Sequence, residues 1–255
     1  MRPEPDPVVS SVDPAEVARY TRLAERWWDP QGPFWPLHTL NRLRTAWIRD
    51  HLCQRLGRDA QAPRPLAGLS LVDIGCGGGL LSEAMARMGA RVHGVDVTAD
   101  NIAVARRHAR DSGLDLTYEV GTAEALAQRG ARYDVVLNME VVEHVADLPG
   151  FMAACNRLQR PGGYGCIATL NRTPASFVAG ILGAEYLLRW LPRGTHQWRR
   201  FRKPRELQAL LARDGIQMAE ATGVRVNPFT RRMTPSRSMA VNYMLMTHRP
   251  EGDVR

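Results

Sequence analysis

Two short stretches of this 255-residue chain carry residue types and spacings suited to chemistry. The first is Leu71-Val-Asp73-Ile-Gly75-Cys-Gly77-Gly78-Gly79-Leu80-Leu, an apolar run that breaks into glycines and continues as a helical pattern over Leu80–Met88. Glycine tolerates positive φ and lets backbone approach a ligand closely, while a helix N-terminus presents unpaired N–H groups. Such a turn suits a polar or anionic ligand at the carboxyl edge of a sheet. Gly77–Gly79 would each cost about 1 kcal/mol of propensity inside a helix, which a ligand-free tight turn leaves unexplained. A second apolar run, Arg91-Val-His-Gly-Val-Asp96, ends in an acid 21 residues after Gly75, placed to accept both hydroxyls of a ribose. The second stretch is Glu140-Val-Val-Glu143-His144, directly after the apolar run Tyr133–Met139. Residues at i, i+3 and i+4 share one face of a helical turn, so Glu140, Glu143 and His144 are expected to converge. Two carboxylates and an imidazole suit a divalent cation, and an oxygen-rich donor set favours Mg²⁺. Acids at a helix start are equally favoured by the dipole alone, and His144 suits a general base or a local cap; the residues leave these readings open.

Elements that alternate must position these groups. Leu69–Ile74, Arg91–Val95, Leu116–Val120, Tyr133–Met139 and Tyr164–Leu170 read as strands, with Leu80–Met88, Ala99–Ser112 and Phe151–Leu158 as helices between them. Two more strand-like runs, Gln217–Val226 and Met239–Thr247, bring the expected count to seven. Strands alternating with helices at this spacing predict an α/β, doubly wound, mostly parallel sheet covered on both faces. Val12–Leu56 lacks strand alternation and contains long helix-compatible stretches, broken at Asp29-Pro-Gln-Gly-Pro33; Ala60–Pro65 reads as a linker. A dinucleotide-binding GxGxxG would need glycine at position 80, where Leu80 stands; the spacing is GxGxG, preceded by Asp73.

Composition is that of an ordinary globular chain, 44% hydrophobic and 24% charged. Cys53, Cys76, Cys155 and Cys166 form no CxxC pair, which argues against a disulfide framework or structural zinc and fits a reducing cytoplasm. The formal charge of +8 is regional: residues 186–250 hold 13 basic and 3 acidic residues, a net of +10. No segment reaches the roughly 18–20 apolar residues of a membrane span. The opening Met1-Arg-Pro-Glu-Pro-Asp-Pro lacks an apolar core and reads as a frayed start, not a signal peptide.

The GxGxG loop after Asp73 resembles the first motif of class I S-adenosylmethionine-dependent methyltransferases, a Rossmann-like fold. Further stretches narrow the likeness: Trp27-Trp-Asp-Pro, Pro36-Leu-His38-Thr-Leu-Asn41-Arg-Leu-Arg44, Met139-Glu-Val-Val-Glu-His, Thr169-Leu-Asn-Arg-Thr, Gly183-Ala-Glu-Tyr, Pro192-Arg-Gly-Thr-His and Val241-Asn-Tyr-Met. Together, from about Tyr20 to His248, they resemble the ubiquinone-biosynthesis O-methyltransferases, which methylate polyprenyl catechols and demethylubiquinol. The resemblance implies S-adenosylmethionine held by Arg44, Asp73, Gly75, Gly77, Asp96 and Met139. The glycine loop would seat the methionine moiety, Asp96 the ribose, and Arg44 the methionine carboxylate. It also implies catalysis by Glu143 and His144, with Mg²⁺ or a similar ion on Glu140, Glu143 and His144. Residues 1–65 would be a helical extension covering the cofactor, and 66–255 the methyltransferase domain. An insertion at about 172–205 would serve substrate or membrane.

That insertion is amphipathic in texture. Phe177, Val178, Ile181, Leu182, Leu188 and Leu191 lie near helical spacing with Tyr186 and Trp190 interleaved, and Arg189–Arg205 carries seven cations and no acid. A bilayer-surface element, a substrate lid and a solvated basic face all fit these residues. A polyprenyl substrate, implied by the resemblance, favours an anionic membrane surface, and with it a bacterial cytoplasmic, peripherally attached enzyme working beside others of its pathway. Nucleic acid is not expected as a partner, because Glu140-Val-Val-Glu stands where an RNA-modifying relative has its catalytic tetrapeptide and would repel phosphate.

Overall fold

The computed structural model describes residues 12–13, 17–18, 21, 24–32, 34–178 and 198–252. After a 3-10 turn at Ala24–Arg26 comes α1 (Trp35–Arg55), started by Pro36 in its first turn. Then β1 (Ser70–Ile74), α2 (Leu80–Arg87), β2 (Arg91–Asp96), α3 (Ala99–Asp111), β3 (Thr117–Val120), α4 (Ala123–Gln128) and β4 (Tyr133–Met139) alternate as expected. They are followed by α5 (Leu148–Leu158), β5 (Gln159–Leu170), α6 (Pro204–Arg213), β6 (Gln217–Val226), β7 (Met233–Ser236) and β8 (Asn242–His248). The strand order is β3-β2-β1-β4-β5-β8-β6-β7, with β1 to β5 parallel and β8 antiparallel to both β5 and β6.

The sheet has eight strands among the described residues, not the expected seven. The extra one, Met233-Thr-Pro-Ser236, pairs only with β6. A proline lacks the N–H a ladder needs, so this run does not read as a strand and is tolerated at an edge. The last strand starts at Asn242 rather than Met239, because the carbonyls of Met239 and Val241 accept from the side chain and backbone of Asn171 instead.

Alternation along the strands sorts residues between two cores. Val72, Ile74 and Val136 pack with Leu126, Phe151, Leu207 and Leu211 of α4, α5 and α6. Leu71, Val135, Leu137 and Met139 pack with Ile48 and Leu52 of α1 and with Leu81 and Met85 of α2. Helices on both faces make the sheet doubly wound, and they direct Asp73 and Met139 toward α1 and α2. All four cysteines are buried free thiols.

Of the expected insertion, Ile181, Leu182, Tyr186, Leu188, Arg189, Trp190 and Leu191 lie outside the described residues, as do Gly183–Tyr186 and Pro192–His196. Its two ends lie together: Trp198 Nε1 donates to the Thr173 carbonyl at 2.9 Å, and Arg172 pairs with Glu206. No helix of the described residues is long and apolar enough to cross a membrane.

Candidate active site

The glycine loop is held from below by β2 and from above by the N-terminal segment. The N–H groups of Gly75 and Cys76 both reach the Val95 carbonyl, at 2.7 and 3.1 Å, and the Gly77 N–H donates to Asp96 Oδ2 at 2.9 Å. The other oxygen of Asp96 accepts from the Thr98 N–H at 2.8 Å and from Asn101 Nδ2 at 3.2 Å. The carboxylate therefore fixes both the loop and the start of α3. Gly77 has φ 54°, and a Cβ there would stand 2.5 Å from the Trp27 ring. At Gly78 a Cβ would meet Trp27 Cβ at 2.5 Å. Glycine is needed at both positions because an indole lies across them.

Trp27 and Trp28 clamp this loop. Trp27 stacks on Phe34 and donates to Asn101 Oδ1 at 2.8 Å, while Trp28 donates to the Gly78 carbonyl at 2.9 Å and stacks on His108. His108 in turn pairs with buried Glu83 at 2.7 Å. From α1, His38 bonds the Trp27 carbonyl at 2.9 Å, Asn41 donates to the Leu80 carbonyl at 3.0 Å, and Arg44 reaches Glu140 Oε1 at 3.3 Å. Spacing of three residues puts these side chains on one helix face. Trp27, Trp28, His38 and Asn41 sit within the Trp27-Trp-Asp-Pro and Pro36–Arg44 motifs, but Asn101, Glu83 and His108 belong to no motif of the sequence.

Arg44 is buried, and its Nε has no hydrogen-bond partner. Burial pulls its pKa down while Glu140, Asp73 and Glu143 hold it up, so it sits in a cluster of three acids. An unpartnered buried guanidinium N–H fits one more anionic oxygen.

Asp73 accepts from Ser82 Oγ at 2.6 Å, and burial holds its carboxyl up, from 3.8 to about 6, against the Ser82 bond and Arg44. In the unfolded chain the group ionises near the ordinary value of about 3.9, so the folded state binds more protons between about pH 4 and 6. Its contribution to stability is full below that window and falls as pH rises through it. Asp73→Asn is expected to flatten the pH dependence of the unfolding midpoint between about pH 4 and 6. A profile parallel to that of the unmodified chain would show that Asp73 does not titrate there.

The acidic stretch departs from expectation. It is not a helical turn: Glu140 has φ 60°, its N–H still bonds the Ala168 carbonyl at 2.8 Å, and the chain passes into turns over residues 142–144. A left-handed conformation at a non-glycine residue is strained and gathers at functional sites. Glu140 turns to Arg44, whereas buried Glu143 accepts from Thr169 Oγ1 of β5 at 2.8 Å. His144 closes the turn through its N–H to the Val141 carbonyl at 2.8 Å. The three stay near enough for their charges to act on one another, but each carboxylate turns to a different partner, and among the described residues no three His, Cys, Asp or Glu side chains are grouped to hold a metal ion. Burial and the charge of Glu140 push the Glu143 carboxyl up to about 7, with His144 and Thr169 opposing. The turn nevertheless abuts the glycine loop, since a Cβ on Gly75 would stand 2.5 Å from Val141 Cγ2. Arg202 braces it from outside, donating from Nε to the Val142 carbonyl at 3.3 Å.

Comparison with known sequences decides what carries this geometry. A Brucella anthropi protein named ubiquinone biosynthesis O-methyltransferase is 51% identical over 241 residues, 94% of this chain and 97% of its own. This chain belongs to the ubiquinone biosynthesis O-methyltransferase family. A Sinorhizobium fredii member of that family is likewise 51% identical over 94% of this chain and 97% of its own. The profile of a family described as methyltransferase domain matches residues 72–167, from within β1 to within β5. Among solved structures, magnesium protoporphyrin IX methyltransferase from Synechocystis PCC 6803 with bound SAH superposes with TM-score 0.61 at 21% identity, covering 92% of this chain and 95% of that one. The shared fold confirms the Rossmann-like α/β architecture that the resemblance implied.

Proposed function

We propose that this member of the ubiquinone biosynthesis O-methyltransferase family uses S-adenosylmethionine to methylate hydroxyls of a polyprenyl catechol or hydroquinone, at both O-methylation steps of the pathway. The observation that carries this is the contact of Gly75 with Val141, which gives the cofactor loop and the acidic turn one shared wall. Arg44 takes the methionine carboxylate through its unpartnered Nε, the loop of Asp73, Gly75 and Gly77 shapes the seat, Asp96 accepts the ribose hydroxyls, and Met139 packs against the donor. Residues 1–65 form the cover, with Trp27 and Trp28 excluding water above the loop. The insertion at about 172–205 receives the substrate. The reading extends to a bacterial cytoplasmic enzyme attached to an anionic membrane surface, beside other enzymes of its pathway.

The bound donor supplies a sulfonium methyl that is already electrophilic. The chain has to align a phenolic oxygen with it and remove a proton whose ordinary pKa is about 10. Glu143 takes that proton on its carboxylate, positioned by Thr169, and the adjacent His144 balances the charge of the pair. The oxygen gains the methyl as the carbon–sulfur bond breaks, leaving the demethylated cofactor. The donor types of Glu140, Glu143 and His144 suit a hard divalent ion such as Mg²⁺, which when bound would acidify a chelated catechol. Binding it would require the two carboxylates to turn from Arg44 and Thr169.

Transfer of labelled methyl from S-adenosylmethionine to a short-chain polyprenyl catechol is the test, with Mg²⁺ or with chelator. Expected are turnover that chelation suppresses and heat on titrating Mg²⁺ into the protein–catechol complex. Undiminished turnover with chelator and no Mg²⁺ heat would remove the metal but leave the methyltransferase; no transfer under either condition would remove the substrate.

A further inference from the structure

Phe229, at the tip between β6 and β7, is 95% exposed, more than any other large apolar side chain among the described residues. Leaving an aromatic ring in water is unfavourable, and an ordinary tip would carry a polar residue. The tip is built rigidly around it. Asn227 Oδ1 accepts from the N–H groups of Phe229 at 2.9 Å and Thr230 at 3.0 Å, and the Asn227 N–H bonds the Arg232 carbonyl at 2.9 Å. Arg231, at φ 56°, lays its guanidinium 4.6 Å from the centre of the Trp35 ring and pins the tip to the start of α1. Ala221–Ala240 holds four arginines and no acid, and Arg225, Arg232 and Arg237 are exposed.

Topology places this tip at the working edge of the sheet. Leu170, the end of β5, pairs with Asn242, the start of β8, and β6 runs antiparallel to β8. The end of β6 therefore lies at the edge where β1 delivers the glycine loop and β4 the acidic turn. The exposed pair Phe177 and Val178 begins the insertion at that same edge. An aromatic tip with exposed Arg225 and Arg232 beside it is complementary to an anionic bilayer, where the ring enters the headgroup boundary and the guanidinium groups meet lipid phosphates.

We propose that the Asn227–Arg232 tip is a membrane anchor separate from the insertion, seating the chain on anionic lipid with its substrate edge toward the bilayer. The inference rests on the reading of a polyprenyl substrate drawn from lipid. Flotation of the full chain with phosphatidylglycerol-containing vesicles and with phosphatidylcholine vesicles tests it, comparing Phe229→Ala and the double variant Arg225→Gln/Arg232→Gln. The native thiols are all buried, so Thr230→Cys accepts an environment-sensitive dye selectively. Expected are flotation with the anionic vesicles only, a roughly tenfold weaker affinity for Phe229→Ala, a comparable loss in the double variant, and a blue shift of the dye on vesicle addition. Turnover of a water-soluble short-chain catechol should stay at the unmodified level, showing that the variants fold. Unmodified flotation by both variants, with no dye shift, would overturn the anchor while leaving membrane attachment through the insertion. Lost turnover of long-tailed substrate with flotation intact would assign the tip to the tail and also overturn it. A chain that floats with neither vesicle would overturn the membrane reading itself.

Discussion

Glu143→Gln is expected to lower turnover by about 10²–10³-fold while S-adenosylmethionine affinity stays within a few-fold, because general-base catalysis supplies roughly 10²–10⁴-fold. Glutamine keeps the shape of the side chain and accepts the Thr169 hydroxyl, but it takes no proton and gives up a charge. Glu143 is held by Thr169, whereas the glycine loop is held by Asp96, so the cofactor seat should survive the change. The charge it removes is buried beside Glu140, and burying an ionised carboxylate costs several kcal/mol unless it is compensated. The variant should therefore melt at a higher temperature than the unmodified chain, activity and stability moving in opposite directions. Single-turnover methyl transfer with a melting scan measures both. An unchanged rate would move the proton acceptor elsewhere, with His144 next to be replaced.

Asp96→Asn is expected to do the reverse, sparing the acidic turn and removing the seat. One oxygen of Asp96 accepts from Gly77 and the other from Thr98 and Asn101. An amide has only one acceptor oxygen, so whichever way it turns its NH₂ must face an N–H donor. A hydrogen bond to a charged group contributes about 1.5–3 kcal/mol. The glycine loop should lose its register on β2, and cofactor affinity should fall by ~10²-fold or more, a cost near 3 kcal/mol. Calorimetry with S-adenosylmethionine or its demethylated product measures this directly. Retention of affinity within threefold would show that Asp96 is not the ribose acceptor.

How far the sequence foretold these features varied with the range of the forces involved. β1, α2, β2 and β4 were legible because strands buried on both faces must be continuously apolar and the glycines mark where one ends. The acidic turn was misread because spacing alone suggests a helix, whereas Glu140 remains tied by its N–H to Ala168 of the neighbouring strand. That tertiary bond holds it outside helical φ. The clamp of Trp27 on Asn101 and Trp28 on Gly78 joins residues 74 and 50 positions apart, a pairing that no local pattern encodes. Thr169 illustrates a middle case: it stood in a recognised motif, but its task became visible only when the parallel register of β4 and β5 brought it beside Glu143.

The four sealed thiols have a bearing on survival alongside this substrate class. A catechol that loses two electrons becomes an o-quinone, an electrophile that captures thiolate anions and alkylates the protein that made or carried it. Cys53, Cys76, Cys155 and Cys166 are all enclosed, and burial raises each of their pKa values, that of Cys166 to about 12. Thiolate is the reactive species, so near neutrality these sulfurs are both out of reach and almost wholly protonated. An o-quinone formed nearby thus finds no accessible thiolate on this scaffold.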